Sequence, residues 1–323
     1  MEVSRLRRKC AHPWFQLRQL FGVNTPRLRR IVAKRWLEDV LFSLAGAVCT
    51  LIGLVTLGAL FYNLMHDGLH RLDWSLLASF PSRFAERAGV LSAWVGSLLI
   101  MLVTTLSAIP LGVAAGVYLE EYGKKNWRTT LIELNIANLA GVPSIIYGLM
   151  ALGLFVYMLG LGRSILAGGL TLACLILPII IVATREALRS IPQEIREAAY
   201  GMGASKWQVI WHHLLPYSTG GISTGIIIGL SRAIGETAPL ITIGALTFIA
   251  FLPFNSASEL VTLRWLDNQF TVLPIQMFNW VSRPGVEFQA NAAAAGLLLI
   301  AITLSMNAVA IVVRYRMRKR IKW

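Results

Sequence analysis

Hydrophobic and polar positions along the 323-residue chain sort into six long apolar runs separated by polar segments. The runs are Leu41–Leu64, Val90–Leu119, Ile136–Leu161, Ile165–Ala183, Ile222–Leu252 and Ala290–Val313. Each has the length of a membrane-crossing helix, since about 20 residues at 1.5 Å each cover a hydrocarbon core of ~30 Å. The pattern therefore predicts an all-α integral membrane protein with six transmembrane helices. Residues 1–40 form a basic arm, 41–313 the membrane domain, and 314–323 a basic tail.

Composition agrees with this reading: 56% of residues are hydrophobic and 14% charged, and the mean hydropathy is +0.63. The first run follows the arm and exceeds the roughly 7–15 apolar residues of a cleavable signal, so a retained helix is expected. Charge adds orientation. The net charge of +14 would suit nucleic acid in a soluble protein, yet the basic residues sort by side. Alternate segments carry 23 Lys and Arg on one side and 6 on the other, with Arg232 inside the fifth run. Cytoplasmic segments are the basic ones, which puts both termini in the cytoplasm and removes the case for nucleic acid.

Prolines 110, 143, 178 and 239 fall within runs, where each removes a hydrogen bond and favours a kink. Gly112/Gly116 and Gly221/Gly225/Gly229 recur every four residues, a spacing that lets helices approach closely, and packing within this chain is expected. In the arm, Trp14, Leu17, Leu20 and Phe21 among basic residues fit a helix lying in the headgroup plane as well as they fit a solvated leader. Cys10, Cys49 and Cys174 are too scattered for disulfide or C-x-x-C chemistry, so three free thiols are expected. His66 and His70 share a face without a third ligand, and no metal is assigned.

The segment 184–217 between the fourth and fifth runs predicts two short amphipathic helices. Pro192 starts the first, whose stripe is Ile195, Ala198, Ala199 and Met202, and Gly201 and Gly203 end it. Ser205 and Gln208 make a capping box for the second, with Trp207, Ile210, Trp211 and Leu214 as its stripe and Pro216 at its close. A coupling element for a soluble partner and a hairpin resting on the bilayer both fit this pattern. His212 and His213 read as an interfacial polar pair.

Arg232 and Glu236 lie about ten residues inside the fifth run. A charge at that depth costs ~2.5–3.5 kcal/mol and normally faces protein or a water-filled path. Their i, i+4 spacing sets both on one helical face. A self-neutralising bridge is one reading, although Arg before Glu is the weaker orientation. The other is an oxyanion site, because the planar guanidinium offers two parallel charge-assisted bonds. Glu236 would then hold Arg232 while the path is empty.

Two resemblances narrow these alternatives. Glu197-Ala198-Ala199, Gly203 and Leu214-Leu215-Pro216 resemble the EAA loop of ABC importer permeases, E-A-A-x3-G-x9-I-x-L-P, with His213 in the usual Ile slot. The segment R-A-I-G-E-T-A-P-L from Arg232 to Leu240, and Asn138 to Leu149 in the third run, resemble the PstA branch of the phosphate-specific permeases. The resemblance runs from about Val90 to the C-terminus and excludes Met1–Lys34. It implies a type I importer (MetI-like) fold in the bacterial inner membrane and an EAA loop (Glu197, Ala198, Ala199, Gly203, Leu215, Pro216) docked on an ATPase. A PstC-type sister permease, two PstB-type ATPases and a periplasmic PstS-type phosphate-binding protein are the implied partners. Arg232 and Glu236 are then implicated in phosphate passage. Asn138, Ser144 and Tyr147 are polar on an apolar helix and fit either the path or helix-to-helix hydrogen bonding.

No P-loop is present: Gly123-Lys124 is followed by Lys125, and Tyr118 stands where the first Gly would be. Nor is there a G-x-S-x-G, H-E-x-x-H or paired-carboxylate arrangement. A pore-forming subunit is expected, with no cofactor of its own and ATP-Mg on the partner. A sulfate or molybdate permease, or an ATP-independent channel or carrier, remain as alternatives.

Overall fold

The computed structural model describes residues 26–124, 126–254 and 262–320, with side chains from 30 to 316. The arm helix expected around Trp14–Phe21, Cys10, and the last residues of the tail lie outside this description. Among the described residues all regular structure is helical, without strands.

The chain divides into two compact units, Met1–Tyr62 and Asn63–Trp323. The first is carried by helix α1 (Pro26–Gly68), whose apolar side chains from Leu41 to Tyr62 are exposed all round. A helix apolar on every face suits hydrocarbon.

In the second unit a short α2 (Trp74–Ala78) precedes α3 (Leu91–Val117), which continues through a π turn at Tyr118–Tyr122. Then come α4 (Trp127–Leu139), α5 (Ser144–Ala151, prolonged by a π segment to Met158) and α6 (Ile165–Arg189). Two short helices follow, α7 (Gln193–Gly201) and α8 (Lys206–Val209), the second running through a π turn at Ile210–Leu214 into α9 (Leu215–Gly235). The rest is α10 (Ala238–Ile243), α11 (Leu273–Val281) and α12 (Val286–Arg320).

Asp73 caps α2, its carboxylate accepting from the Leu76 N–H at 2.9 Å and from the Ser75 hydroxyl. These bonds hold its carboxyl below the ordinary aspartate range.

Four helices, α1, α3, α6 and α12, are long and apolar enough to cross a membrane, and the α4–α5 pair makes a fifth if counted as one span. Here the structure corrects the expected continuous third run, because α4 and α5 are bent by 107° at Ala140–Pro143. Pro143 has no N–H to give α4, and the residue before a proline is pushed toward extended backbone. The fifth run is also interrupted: α9 stops at Gly235 and α10 restarts with Pro239 in its first turn. Pro110 and Pro178, by contrast, sit inside unbroken helices.

The core lies where α3 and α9 pack on adjacent faces of α6, which share Ile180. Small residues set those crossings. A Cβ on Gly112 would meet the Ile180 side chain at 2.7 Å, and one on Gly116 would meet Thr184 at 2.6 Å. On α9, Cβ atoms on Gly221 and Gly225 would meet Ala187 and Ala183 at 2.5 and 2.2 Å. Both glycine series therefore pack within this chain. Gly225→Val should destabilise the α6–α9 contact by about 1–3 kcal/mol, the usual cost of overpacking, and thermal unfolding in detergent reads that loss.

Candidate functional site

Arg232 occupies the last turn of α9 and Glu236 follows the helix end, in extended backbone at φ −83°, ψ 117°. The expected shared helical face is thus replaced by a helix end and the strand-like residue after it. The guanidinium Nε lies 3.9 Å from Glu236 Oε2, an ion pair too long for a good hydrogen bond, with side chains 37% and 22% exposed. Partial exposure and length both make this pair weak. The guanidinium makes no hydrogen bond among the described residues, so its fork of donors is available to a ligand. It also sits at the C-terminal end of α9, where the helix dipole favours a cation.

The two helix breaks are brought together by a close approach. At Gly148 of α5, a Cβ would lie 1.7 Å from Thr242 Oγ1 and 2.6 Å from Pro239 Cα on α10. The neighbouring Tyr147 is buried, and its hydroxyl donates at 2.8 Å to the Leu139 carbonyl, which also accepts from the Val142 N–H at the end of α4. Asn138 is exposed at the end of α4 and Ser144 half-buried at the start of α5. Neither has a side-chain hydrogen bond to Arg232, Glu236 or Tyr147 among the described residues. Tyr147 thus packs in the same apolar cluster as Ala233, Ile234 and Leu240, next in sequence to the charged pair, and the other two lie at the α4–α5 break. A cavity of about 10 Å³, room for a single water, lies among Ile100, Met101, Leu172, Ala233, Ile234 and Leu240, and neither member of the pair lines it.

In the 184–217 segment, the Ser205–Gln208 capping box forms in full, and Gly203 turns the chain at φ +82°, where L side chains are strained. Leu188, Ile191, Ala199, Val209, Ile210 and Leu214 build a small core of their own. The expected stripes are only half buried. Ala199 is covered and Ile195 partly so, while Ala198 is exposed and Met202 is 89% exposed. Likewise Ile210 and Leu214 are covered, whereas Trp207 and Trp211 stack on each other at 5.7 Å and stay exposed. The stripe is thus split between two faces, one pair four residues apart turned to the core and the other to the surface. The π turn at Ile210–Leu214 carries the chain past Pro216, which sits in the first turn of α9 and closes nothing. The wider turn relieves the clash between a proline ring and the carbonyl one turn back. Glu197, Ala198, Gly201 and Gly203 are exposed, leaving one edge of α7 open. His212 and His213 are exposed too, the first with Nδ1 3.2 Å from the Gln208 carbonyl.

Comparison with known proteins completes this picture. Residues 108–323 match the family described as binding-protein-dependent transport system inner membrane component. This chain belongs to that family. A phosphate transport system permease protein PstA of Mycobacterium leprae is 33% identical over 87% of this chain and 90% of its own. One from Yersinia pestis is 34% identical over 81% and 85%. A probable ABC transporter permease, YqgI of Bacillus subtilis, is 30% identical over 85% and 95%. A solved structure, the inward-facing MetNI methionine ABC transporter, superposes with a TM-score of 0.54 at 17% identity, covering 69% of this chain and 93% of that one. The fold is therefore that of an ABC importer permease. The chain is a multi-pass integral membrane pore component and not an enzyme, and it works beside an ATPase and other subunits.

Hydropathy and motif reasoning missed one group of residues: Glu120 and Glu121 at the end of α3, Glu133 on α4, and Arg185, Arg189 and Arg196. Complementary charges clustered at the ends of adjacent apolar runs were the available signal. Among the described residues, no group of three or more His, Cys, Asp or Glu side chains is placed to hold a metal ion.

Proposed function

We propose that this chain is the permease subunit through which an ATP-driven importer carries inorganic phosphate across the bacterial inner membrane. The observation that carries the reading is Arg232, a guanidinium with open donors at a helix break, loosely paired with Glu236. Relatives named as phosphate transport permeases support the choice of anion.

In this reading a phosphate arriving along the path takes two parallel bonds from Arg232, and Glu236 yields its weak contact. As the carboxylate returns, repulsion and competition for the guanidinium help the anion leave. Tyr147, with Asn138 and Ser144, lines the α4–α5 side of the passage. Six spans, with α9 and α10 together as the fifth and both termini cytoplasmic, follow from the sorting of basic residues.

Glu197, Ala198, Ala199, Gly203, Leu215 and Pro216 form the coupling loop. A PstB-type ATPase dimer holding ATP-Mg docks on it, beside a PstC-type permease and beneath a PstS-type binding protein. Gly203→Pro should uncouple ATP hydrolysis from transport, since proline fixes φ near −65° where +82° is needed. Glu197→Arg should do the same by reversing charge on the open edge of α7. Retained ATPase pull-down with normal uptake in either variant would argue against the loop's role.

The reading is tested by reconstituting the complex in liposomes with binding protein and ATP, and competing phosphate against sulfate and molybdate. Phosphate uptake is expected to dominate. Sulfate or molybdate uptake in its place, or uptake without any ATPase, would reject it.

A further inference from the structure

The cytoplasmic end of α3 carries three consecutive residues that reach three different elements. Glu120 accepts from Arg189 Nε of α6 at 2.9 Å and pairs with Arg185 of α6 at 3.4 Å. Glu121 accepts from Arg196 Nη2 of α7 at 3.0 Å. The Tyr122 ring lies beneath the Lys206 ammonium, 4.6 Å from its centroid, at the start of α8. This fan depends on the π turn at Tyr118–Tyr122, which ends the helix and spreads successive side chains.

Arg196 does more than close one pair. Its guanidinium also donates to the carbonyls of Leu188 and Ile191, each at 2.9 Å, at the end of α6 and just beyond. A single side chain on α7 thus binds the ends of two long helices. The groups are poorly solvated: the side chains of Glu121 and Arg185 are 8% exposed, those of Glu120 and Arg196 17% and 18%. Buried ion pairs are a weak means of stabilising a fold, because apolar residues of similar volume hold such contacts as well. What a buried pair supplies is a directional link between two specific groups. Glu120 with Arg185 and Arg189 fastens α3 to α6, and Glu133 of α4 joins the same arginines. On α7 itself, only Ala199 is fully covered, and the edge bearing Glu197 and Ala198 is open. Ile195 and Ala199 also pack in the apolar cluster with Leu188 of α6 and Val117 of α3, so the ties through Arg196 are the directional part of the attachment of α7 to the long helices.

We propose that the Arg196–Glu121 pair is the joint that passes displacement of α7 to α3, with Glu120 locking α3 to α6 so that both helices move together. Arg196 and Glu121 are positioning residues. The role rests on the reading of α7 as part of an ATPase-docked loop, and it assigns the receiving end of that movement, which the loop motif does not contain.

The test is charge exchange in the reconstituted complex, scored on ATP-driven uptake of whichever of phosphate, sulfate or molybdate the wild-type complex carries. Glu121→Arg and Arg196→Glu alone should each lower uptake per ATP hydrolysed about tenfold, within the range for residues that transmit coupling without touching ligand. The ATPase should remain bound in pull-downs. Combining the two should restore the ratio to within about threefold of wild type, the signature of a direct pairwise interaction. Normal ratios in the single variants, or no recovery in the exchange while the complex assembles, would overturn the proposal. Should the reversed charges prevent accumulation of the protein, Glu121→Gln and Arg196→Gln decide instead. The double Gln variant should be no worse than either single one, and additive losses would count against the joint. Failure of the phosphate reading alone would show as wild-type uptake of a different anion, whereas a wild-type chain that retains no ATPase defeats both.

Discussion

Arg232→Gln should abolish uptake while leaving the complex assembled. The side chain is 37% exposed and 3.9 Å from Glu236, and makes no hydrogen bond among the described residues, so folding loses little when the charge is removed. The anion loses more. Hydrogen bonds to charged groups are worth about 1.5–3 kcal/mol each, and a forked pair of them amounts to a fall in transport of about 100-fold or greater. Arg232→Lys keeps the charge but gives up the planar fork, and should fall between the two. Uptake assays with pull-down of the ATPase separate these effects, and wild-type rates in the Gln variant would reduce the pair to a structural bridge.

The same residues show how far the sequence reached. A charged pair deep in an apolar run was legible because lipid penalises charge whatever the local backbone does. Its geometry was not, because i, i+4 spacing implies a shared face only if the helix continues, and α9 ends at Gly235. Averaging hydropathy over a whole span treats Pro110, Pro143, Pro178 and Pro239 alike. Yet two of them sit in unbroken helices and two at breaks. Around Pro143 the freed Leu139 carbonyl finds substitutes within reach, the Val142 N–H and, from further along the chain, the Tyr147 hydroxyl. That partner is eight residues away, and its direction depends on the bend itself.

The segment 184–217 divides in a similar way. Its capping box and its turn glycine are local signals set by a few neighbouring residues, and both form. The stripes depended on which side the neighbouring helices cover, which no local pattern gives. Ile210 and Leu214 join Leu188 in the core, while Trp207 and Trp211, equally spaced, emerge on the surface. The acidic end of α3 offered its charge to the reading but not its partners. Glu121 and Arg196 are 75 residues apart, and no periodicity links them.

Gly148→Val should destroy transport, and for a reason visible only in the assembled helices. The position lies in an ordinary apolar helix, where valine is a mild substitution by propensity. But its Cβ would stand 1.7 Å from Thr242 Oγ1, 2.6 Å from Pro239 Cα and 2.7 Å from Pro239 O. Thr242 cannot swing aside freely, since its hydroxyl donates to the Pro239 carbonyl at 2.8 Å. The Pro239 atoms are backbone, fixed by the ring at the start of α10. Separating α5 from α10 is then the remaining relief, and it would carry Tyr147 out of its cluster with Ala233, Ile234 and Leu240 and part the two breaks. Gly148→Ala should cost about 1–3 kcal/mol as overpacking and Val more, with uptake falling in that order. Thr242→Ala should rescue Gly148→Ala only in part, because it removes the 1.7 Å contact and leaves both Pro239 contacts in place. Gly153→Ala, where nothing lies within 4 Å of the added Cβ, should transport normally. Equal activity of Gly148→Val and Gly153→Ala in the uptake assay would mean that the α5–α10 approach is not needed for passage.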